Sequence, residues 1–196
     1  NKLLNVLIDN LLETQSLTTT RCIGNLSEYI LSQDETKKYI LDFITQCSEQ
    51  NAEYQVVGVQ LLSFIVSHPV QLIFDVLDQI LDALQKFLLS TDLKVIYNLF
   101  NTLKTFLNAS TFLNDGDESL DFEIQEQLAE QIYKKLFTTL EFVNETNIKY
   151  FVEILSEVAE IASTTLSLVP QCHSDLFSFV EQLLNCENEV IINAAP

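Results

Sequence analysis

The sequence is poor in glycine and proline, the two residues that most often interrupt regular structure. It contains 3 glycines and 3 prolines among 196 residues, whereas soluble proteins average about 7% and 5%. A β-sandwich or barrel needs a turn about every 8–12 residues, and a nucleotide-binding loop needs several glycines. The composition therefore excludes both an all-β fold and a glycine-rich phosphate loop.

Basic residues are also scarce. Lys and Arg total 10 against 28 Asp and Glu, a formal net charge of −18. Binding to nucleic acid depends on Lys and Arg that displace counterions from phosphate, and an anionic membrane surface repels a chain of this charge. No apolar run is long enough to span a bilayer, and no signal peptide is visible. We therefore expect neither nucleic acid nor membrane as a partner.

The sequence lacks the motifs of common catalytic sites. It contains no GxSxG, no HExxH and no P-loop. His68 and His173 lie next to Pro69 and Pro170 at predicted helix starts, and neither has a partner at metal-ligand or triad spacing. We therefore predict that the histidines face solvent, that the chain is not an enzyme, and that it needs no cofactor or metal.

The cysteines show no pairing pattern and no CxxC motif. Each lies in a predicted helix among apolar neighbours, which favours buried, reduced and metal-free thiols. Reduced thiols in turn indicate an intracellular compartment. The four cysteines are Cys22, Cys47, Cys172 and Cys186.

Apolar residues recur at helical spacing along almost the whole chain. The third helix, for example, is expected to bury Tyr39, Ile40, Phe43, Ile44 and Cys47. Methionine is absent, and the chain starts inside an apolar helical pattern, so we interpret it as a piece of a longer protein. The predicted helices cover about 3–12, 18–32, 35–49, 52–67, 69–89, 92–108, 122–143, 146–165, 170–186 and the stretch from 189.

Short turns at residues 32–34, 50–51 and 90–92 predict antiparallel neighbouring helices. Similar helix pairs begin about every 40 residues, which is the period of HEAT and armadillo repeats. We therefore predict an all-α fold, a HEAT-type α-solenoid of about ten antiparallel helices in stacked pairs. Residues 1–196 would form one solenoid segment, with an acidic loop at about 110–121. An irregular helical bundle is the alternative.

Three stretches resemble the importin-β superfamily, the karyopherins, in their importin-5-like branch. RCIGNLSEYIL at residues 21–31 is similar to the first helix of a HEAT repeat. Residues 39–65 and 152–184 are similar to passages that join one repeat to the next. The chain departs from the family in having no Trp, since many members hold cargo with Trp and Asn ladders.

The resemblance implies a nuclear transport receptor of the cytoplasm and nucleus. Such a receptor would bind basic protein cargo, and a small Ran-type GTPase, through the concave face of the solenoid. The alternative is a HEAT-repeat scaffold subunit, of a phosphatase or of a chromosome-organising complex, without a transport role. The uneven repeat length, with one step of about 54 residues, mildly disfavours a uniform phosphatase scaffold.

Two acidic segments are the candidate binding sites. Asp75, Asp78 and Asp82 follow the i, i+3, i+7 spacing of one helix face. Both segments would attract a basic partner by complementary charge, although solvated acidic surfaces without a partner are common. The second segment, in the acidic loop, contains Asp115, Asp117, Glu118 and Asp121.

Overall fold

The computed structural model describes residues 2–14, 16–68, 73–111, 122–168 and 172–194. Within these ranges the regular structure is helical and contains no strand, which confirms the all-α class. Its α-helices are α1 (Lys2–Thr14), α2 (Leu17–Asn25), α3 (Ser27–Leu31), α4 (Asp34–Ser48), α5 (Ala52–Val66), α6 (Leu77–Leu88), α7 (Leu93–Thr111), α8 (Phe122–Thr139), α9 (Ile148–Leu168), α10 (Cys172–Leu184) and α11 (Glu189–Ala194). Short 3₁₀ helices cover Phe74–Val76 and Leu140–Phe142.

The helix starts have clear local causes. Asn51 precedes α5, and its side-chain oxygen accepts a hydrogen bond from the Tyr54 amide at 3.2 Å. Asp92 precedes α7 and accepts from the amides of Lys94 and Val95 at 2.8 and 3.2 Å. Such caps satisfy amides that have no partner inside the helix.

Two predicted helices differ from the structure. The helix expected over 18–32 is broken at Leu26 into α2 and α3, after Gly24 and Asn25, which are weak helix formers. The helix expected over 69–89 contains a 3₁₀ turn at Phe74–Val76, directly before the α-helix Leu77–Leu88. Asp75 therefore lies in the turn before α6 and not on the helix itself.

When the broken pair α2 and α3 is counted as one helix, helices that alternate along the chain pack side by side. α5 packs on α2 and on α7, and α7 packs on α9, which in turn contacts α11. α4 packs on α6, and α8 packs on α10. The helices α2, α5, α7, α9 and α11 thus form one row, and α4 with α6 and α8 with α10 form pairs beside it. Contacts between consecutive helices, such as α4 with α5 and α6 with α7, join these pairs to the row.

The core is rich in aromatic side chains. Phe87, Phe100, Phe106, Tyr133 and Phe151 are almost fully buried. Gly58 lets α5 approach its neighbours closely, because a Cβ there would lie 2.7 Å from Cys47 Cβ and 2.8 Å from Phe87 Cζ. This contact joins α5 to both α4 and α6.

The prediction of buried thiols is only partly correct. Cys47 is buried and Cys186 is half-buried, but Cys22 is exposed, and these three are free. The prediction for Cys22 is wrong because α2 turns Thr19, Thr20 and Ile23 toward the core instead. The side chain of Cys172 lies outside the described residues.

Candidate protein-binding surfaces

The carboxylates of Asp75, Asp78 and Asp82 all reach solvent. Two of them already bind lysines. Asp75 forms an ion pair with Lys37 at 2.7 Å, and Asp82 pairs with Lys86 one helical turn later at 3.0 Å. In the described parts of the chain, no cation lies within ion-pair distance of Asp78.

Additional exposed groups lie on the neighbouring helix α4 and in the turn before α6. α4 packs on α6 and carries the exposed Asp42 and Tyr39, the latter 42% exposed. Phe74, in the turn before α6, is 63% exposed. The prediction that Tyr39 faces the core is wrong, because α4 buries Thr36, Lys37 and Ile40 on that part of its surface.

We call this region the acidic surface. It consists of the four aspartates Asp42, Asp75, Asp78 and Asp82 with Tyr39 and Phe74. Sequence reasoning found three of the aspartates and missed Asp42, although its i+4 spacing from Lys38 on a helix surface could have indicated exposure. The other predicted site residues, Asp115, Asp117, Glu118 and Asp121, lie outside the described residues.

A second feature, which the sequence analysis did not identify, is a polar groove of about 380 Å³. Side chains from α2, α5 and α7 form this groove, because the three helices pack side by side. We call it the amide groove, since three of its side chains end in amides. It is lined by Thr20, Arg21, Gln60, Ser63, Phe64, Asn98, Asn101 and Thr102.

Hydrogen bonds hold part of the amide groove in place. Gln60 Nε2 donates to Asn98 Oδ1 at 3.3 Å, and Asn98 Nδ2 donates to the Lys94 carbonyl at 2.7 Å. The buried Thr102 hydroxyl lies 2.9 Å from the Asn98 carbonyl and 3.3 Å from the Val59 carbonyl. The wall formed by α5 and α7 is therefore fixed by polar contacts as well as by packing.

An ion-pair network links α7 to α9 beside the amide groove. Lys104 contacts Glu157 and lies 2.9 Å from Glu160. Burial alone would lower the pKa of the Lys104 ammonium, but the hydrogen bonds that it donates to the Glu157 and Glu160 carboxylates, and their negative charge, outweigh burial and raise the pKa. Because both carboxylates are engaged by the same ammonium, we interpret the network as a structural connection between the helices.

Ser27 and His68 form a pair that could suggest a hydrolase. The Ser27 hydroxyl is only 5% exposed and donates its proton to the Gly24 carbonyl. A hydroxyl has one proton, so the Nε2–H of His68 donates to Ser27. This direction is the reverse of what a histidine base needs to activate a serine. The pair instead ties the end of α5 to α3, and the prediction that His68 simply faces solvent is wrong, since it is half-buried.

The described residues contain no group of three or more His, Cys, Asp or Glu that could hold a metal ion. None of the helices in these ranges combines the length and apolar character that crossing a bilayer would need.

Comparisons with protein-family models, with curated proteins and with solved structures give no match for this chain. The features of the chain that bear on function are the acidic surface, the amide groove and the pattern of helix packing. The acidic surface is negatively charged, like the chain as a whole, whose net charge is −18. The amide groove contains no acidic residue, and the composition of the chain does not predict it.

Proposed function

We propose that this chain is a segment of a HEAT-type α-solenoid that binds basic segments of other proteins through the acidic surface. Support for the solenoid comes from the side-by-side packing of alternate helices, α2, α5, α7, α9 and α11. In stacked helical repeats each pair contacts mainly its neighbours, which produces this pattern and leaves an extended surface for binding.

The observation that carries the binding proposal is the exposed, unpaired carboxylate of Asp78 between two further aspartates. A lysine or arginine of a partner could form an ion pair with the Asp78 carboxylate without first breaking an internal ion pair. The exposed rings of Tyr39 and Phe74 can add cation–π contacts to further Lys or Arg side chains of the same partner. Complementary charge of this kind mainly raises the association rate.

The resemblance to karyopherins makes the proposal more specific. In that reading the partner is nuclear-import cargo, a Ran-type GTPase also binds, and the protein works in the cytoplasm and nucleus. Binding and release, with no catalytic step and no cofactor, would be its whole activity. Flexing between repeats would let the solenoid open and close on its partners.

The test is the binding of a fluorescein-labelled peptide rich in Lys and Arg, measured by stopped-flow at several salt concentrations. The double variant Asp78→Asn/Asp82→Asn should bind more slowly at low salt, with the difference shrinking as salt rises. Asp75 is left intact because it neutralises the buried Lys37. A matched control, Glu141→Gln/Glu145→Gln, removes the same charge from exposed positions near the second 3₁₀ turn.

Equal association rates for the wild type and the α6 variant would contradict the acidic surface as the binding site. Equal slowing by both variants would mean that only net charge matters. Pull-down with the GTP-loaded and GDP-loaded transport GTPase then separates the two classes of solenoid. Binding to the GTP form alone supports a transport receptor, whereas peptide binding without GTPase binding supports a scaffold subunit.

A further inference from the structure

We infer that the amide groove binds an extended segment of a partner protein that carries an Asp or Glu side chain. The proposal does not depend on the acidic surface, because the groove lies on α2, α5 and α7 and would attract a partner of the opposite charge. It follows from the charge, the hydrogen-bonding groups and the dimensions of the groove.

The groove carries a positive charge, opposite in sign to the net charge of the chain. None of its eight lining residues is acidic, although the sequence contains 28 Asp and Glu. The groove also contains Arg21, the only arginine in the sequence. Arg21 is exposed, and no carboxylate of the described residues lies within ion-pair distance of it. A guanidinium recognises a carboxylate with two parallel hydrogen bonds, so an acidic side chain is its best ligand.

The remaining polar groups of the groove suit a peptide backbone. Gln60 uses one amide hydrogen on Asn98, which leaves its oxygen available. The Asn101 amide and the Ser63 hydroxyl also line the groove. A side-chain amide offers both a donor and an acceptor, which match the C=O and N–H of a peptide unit. An extended segment has these backbone groups unpaired, and they need partners when it is bound.

The dimensions agree with a short peptide. Neighbouring helix axes lie about 8–10 Å apart, so a chain crossing from α2 over α5 to α7 covers roughly 16–20 Å. An extended chain rises about 3.3 Å per residue, which makes this distance five to six residues. The volume of about 380 Å³ is within the range of roughly 300–1,000 Å³ found for ligand sites.

The groove is also preorganised. Gly24 on α2 lies directly against the Phe64 ring of α5, where a Cβ would come within 2.6 Å of the ring. Thr102 of α7 reaches the Val59 carbonyl of α5. Because both helix contacts are already made, little ordering would be needed on binding, and less binding energy would be lost.

The experiment selects linear dodecapeptides from a phage-displayed library on the whole 196-residue chain. The selected peptides are then synthesised with amidated C-termini, so that only side chains can supply a carboxylate. We expect them to contain Asp or Glu, and to bind Arg21→Ala and Asn101→Ala at least about tenfold more weakly. Replacing the acidic residue of the peptide by its amide should cause a similar loss.

Lys38→Ala is the matched control, because it removes one positive charge from an exposed position on α4 and should leave affinity unchanged. Circular dichroism verifies that each variant is folded. Arg21→Lys keeps the positive charge but cannot form the two parallel hydrogen bonds of a guanidinium, so it should bind the peptide more weakly than the wild type does. The inference is overturned if no peptide is enriched, or if the enriched peptides lack acidic residues. It is also overturned if their binding is lost in Asp78→Asn/Asp82→Asn and kept in Arg21→Ala, since the peptides would then occupy the acidic surface.

Discussion

Lys37 of α4 forms an ion pair with Asp75 in the turn before α6, with 2.7 Å between Nζ and Oδ2. The two ends differ in environment, since the Lys37 side chain is 7% exposed and that of Asp75 is 59% exposed. Asp34 is the other carboxylate near Lys37, at 3.9 Å. Asp75 therefore stabilises a buried ammonium and connects two helices, in addition to any role in binding a partner.

The first prediction follows from this pair. Asp75→Asn should lower the free energy of unfolding by about 1–2 kcal/mol, because it leaves the Lys37 ammonium buried with only a distant counter-charge. Asp42→Asn removes an exposed carboxylate from α4 and should change stability by no more than about 0.5 kcal/mol. Urea denaturation measures both, and equal stabilities for the two variants would show that the Lys37–Asp75 pair contributes nothing.

The second prediction compares two glycines that both lie against other side chains. In Gly58→Ala the new methyl would meet Cys47 Cβ and the fully buried Phe87, neither of which has room to move. We expect it to lose about 1–2 kcal/mol of stability, even after the gain of up to about 1 kcal/mol in helix propensity.

In Gly24→Ala the new methyl would lie 2.6–2.7 Å from Cγ, Cδ1 and Cδ2 of Phe64, so a ring tilt alone cannot relieve the contact, and the half-buried side chain must shift as a whole toward solvent. We expect this variant to lose about 1 kcal/mol, since the gain in helix propensity offsets part of the strain. Thermal or urea unfolding of both variants is the measurement. A Gly24→Ala protein less stable than Gly58→Ala would contradict this account of how the helices approach.

The third prediction concerns the accessibility of the thiols. In the native protein, iodoacetamide should modify Cys22 first, Cys186 more slowly, and Cys47 only after unfolding, following their exposed, half-buried and buried positions. Peptide mapping by mass spectrometry at a series of reaction times gives the order. Modification of native Cys47 as fast as Cys22 would mean that the contact between α4 and α5 opens freely.

The fourth prediction concerns alkaline pH. Burial raises the pKa of the Cys47 thiol from 9.0 to about 12. In the unfolded chain the thiol releases its proton above about pH 9, while the native state retains it, so the stabilising contribution is complete below pH 9 and is lost as the pH rises toward 12. For this one group the loss between pH 7 and pH 10 is about 1.4 kcal/mol.

The control for this measurement is Cys47→Ala, which lacks the titrating thiol and retains every other ionisable group. Urea denaturation of both proteins at pH 7 and pH 10 should show the stability difference between them shifting by about 1.4 kcal/mol in favour of the variant. A difference that stays constant with pH would show that the Cys47 thiolate is tolerated in the native protein.

Most of the helix positions could be predicted from the sequence because their causes are local. The 3.6-residue period of apolar side chains sets where helices run, and caps such as Asn51 and Asp92 set where they begin. The break at Leu26 was missed because it depends on two successive weak helix formers and on the Ser27 hydroxyl, which bonds to the Gly24 carbonyl.

The candidate sites could be predicted less well because they combine residues that are distant in sequence. The acidic aspartates are visible as a charge pattern, but the buried partner of Asp75 is 38 residues away on another helix. The amide groove needs Arg21, Gln60 and Asn98 on three separate helices. Individually, these polar residues look like ordinary helix-surface positions.

The all-α class, the approximate helix boundaries and the strongly acidic character can be read from the amino-acid sequence, because each depends on composition or on contacts within a few residues. Which surface each helix buries depends on the packing of distant segments. This packing exposes Cys22 and Tyr39, buries Lys37 and joins His68 to Ser27. These outcomes depend on how α2, α4 and α5 rotate and pack against their neighbours, and the free energy of that packing comes from contacts between segments that a local pattern does not contain.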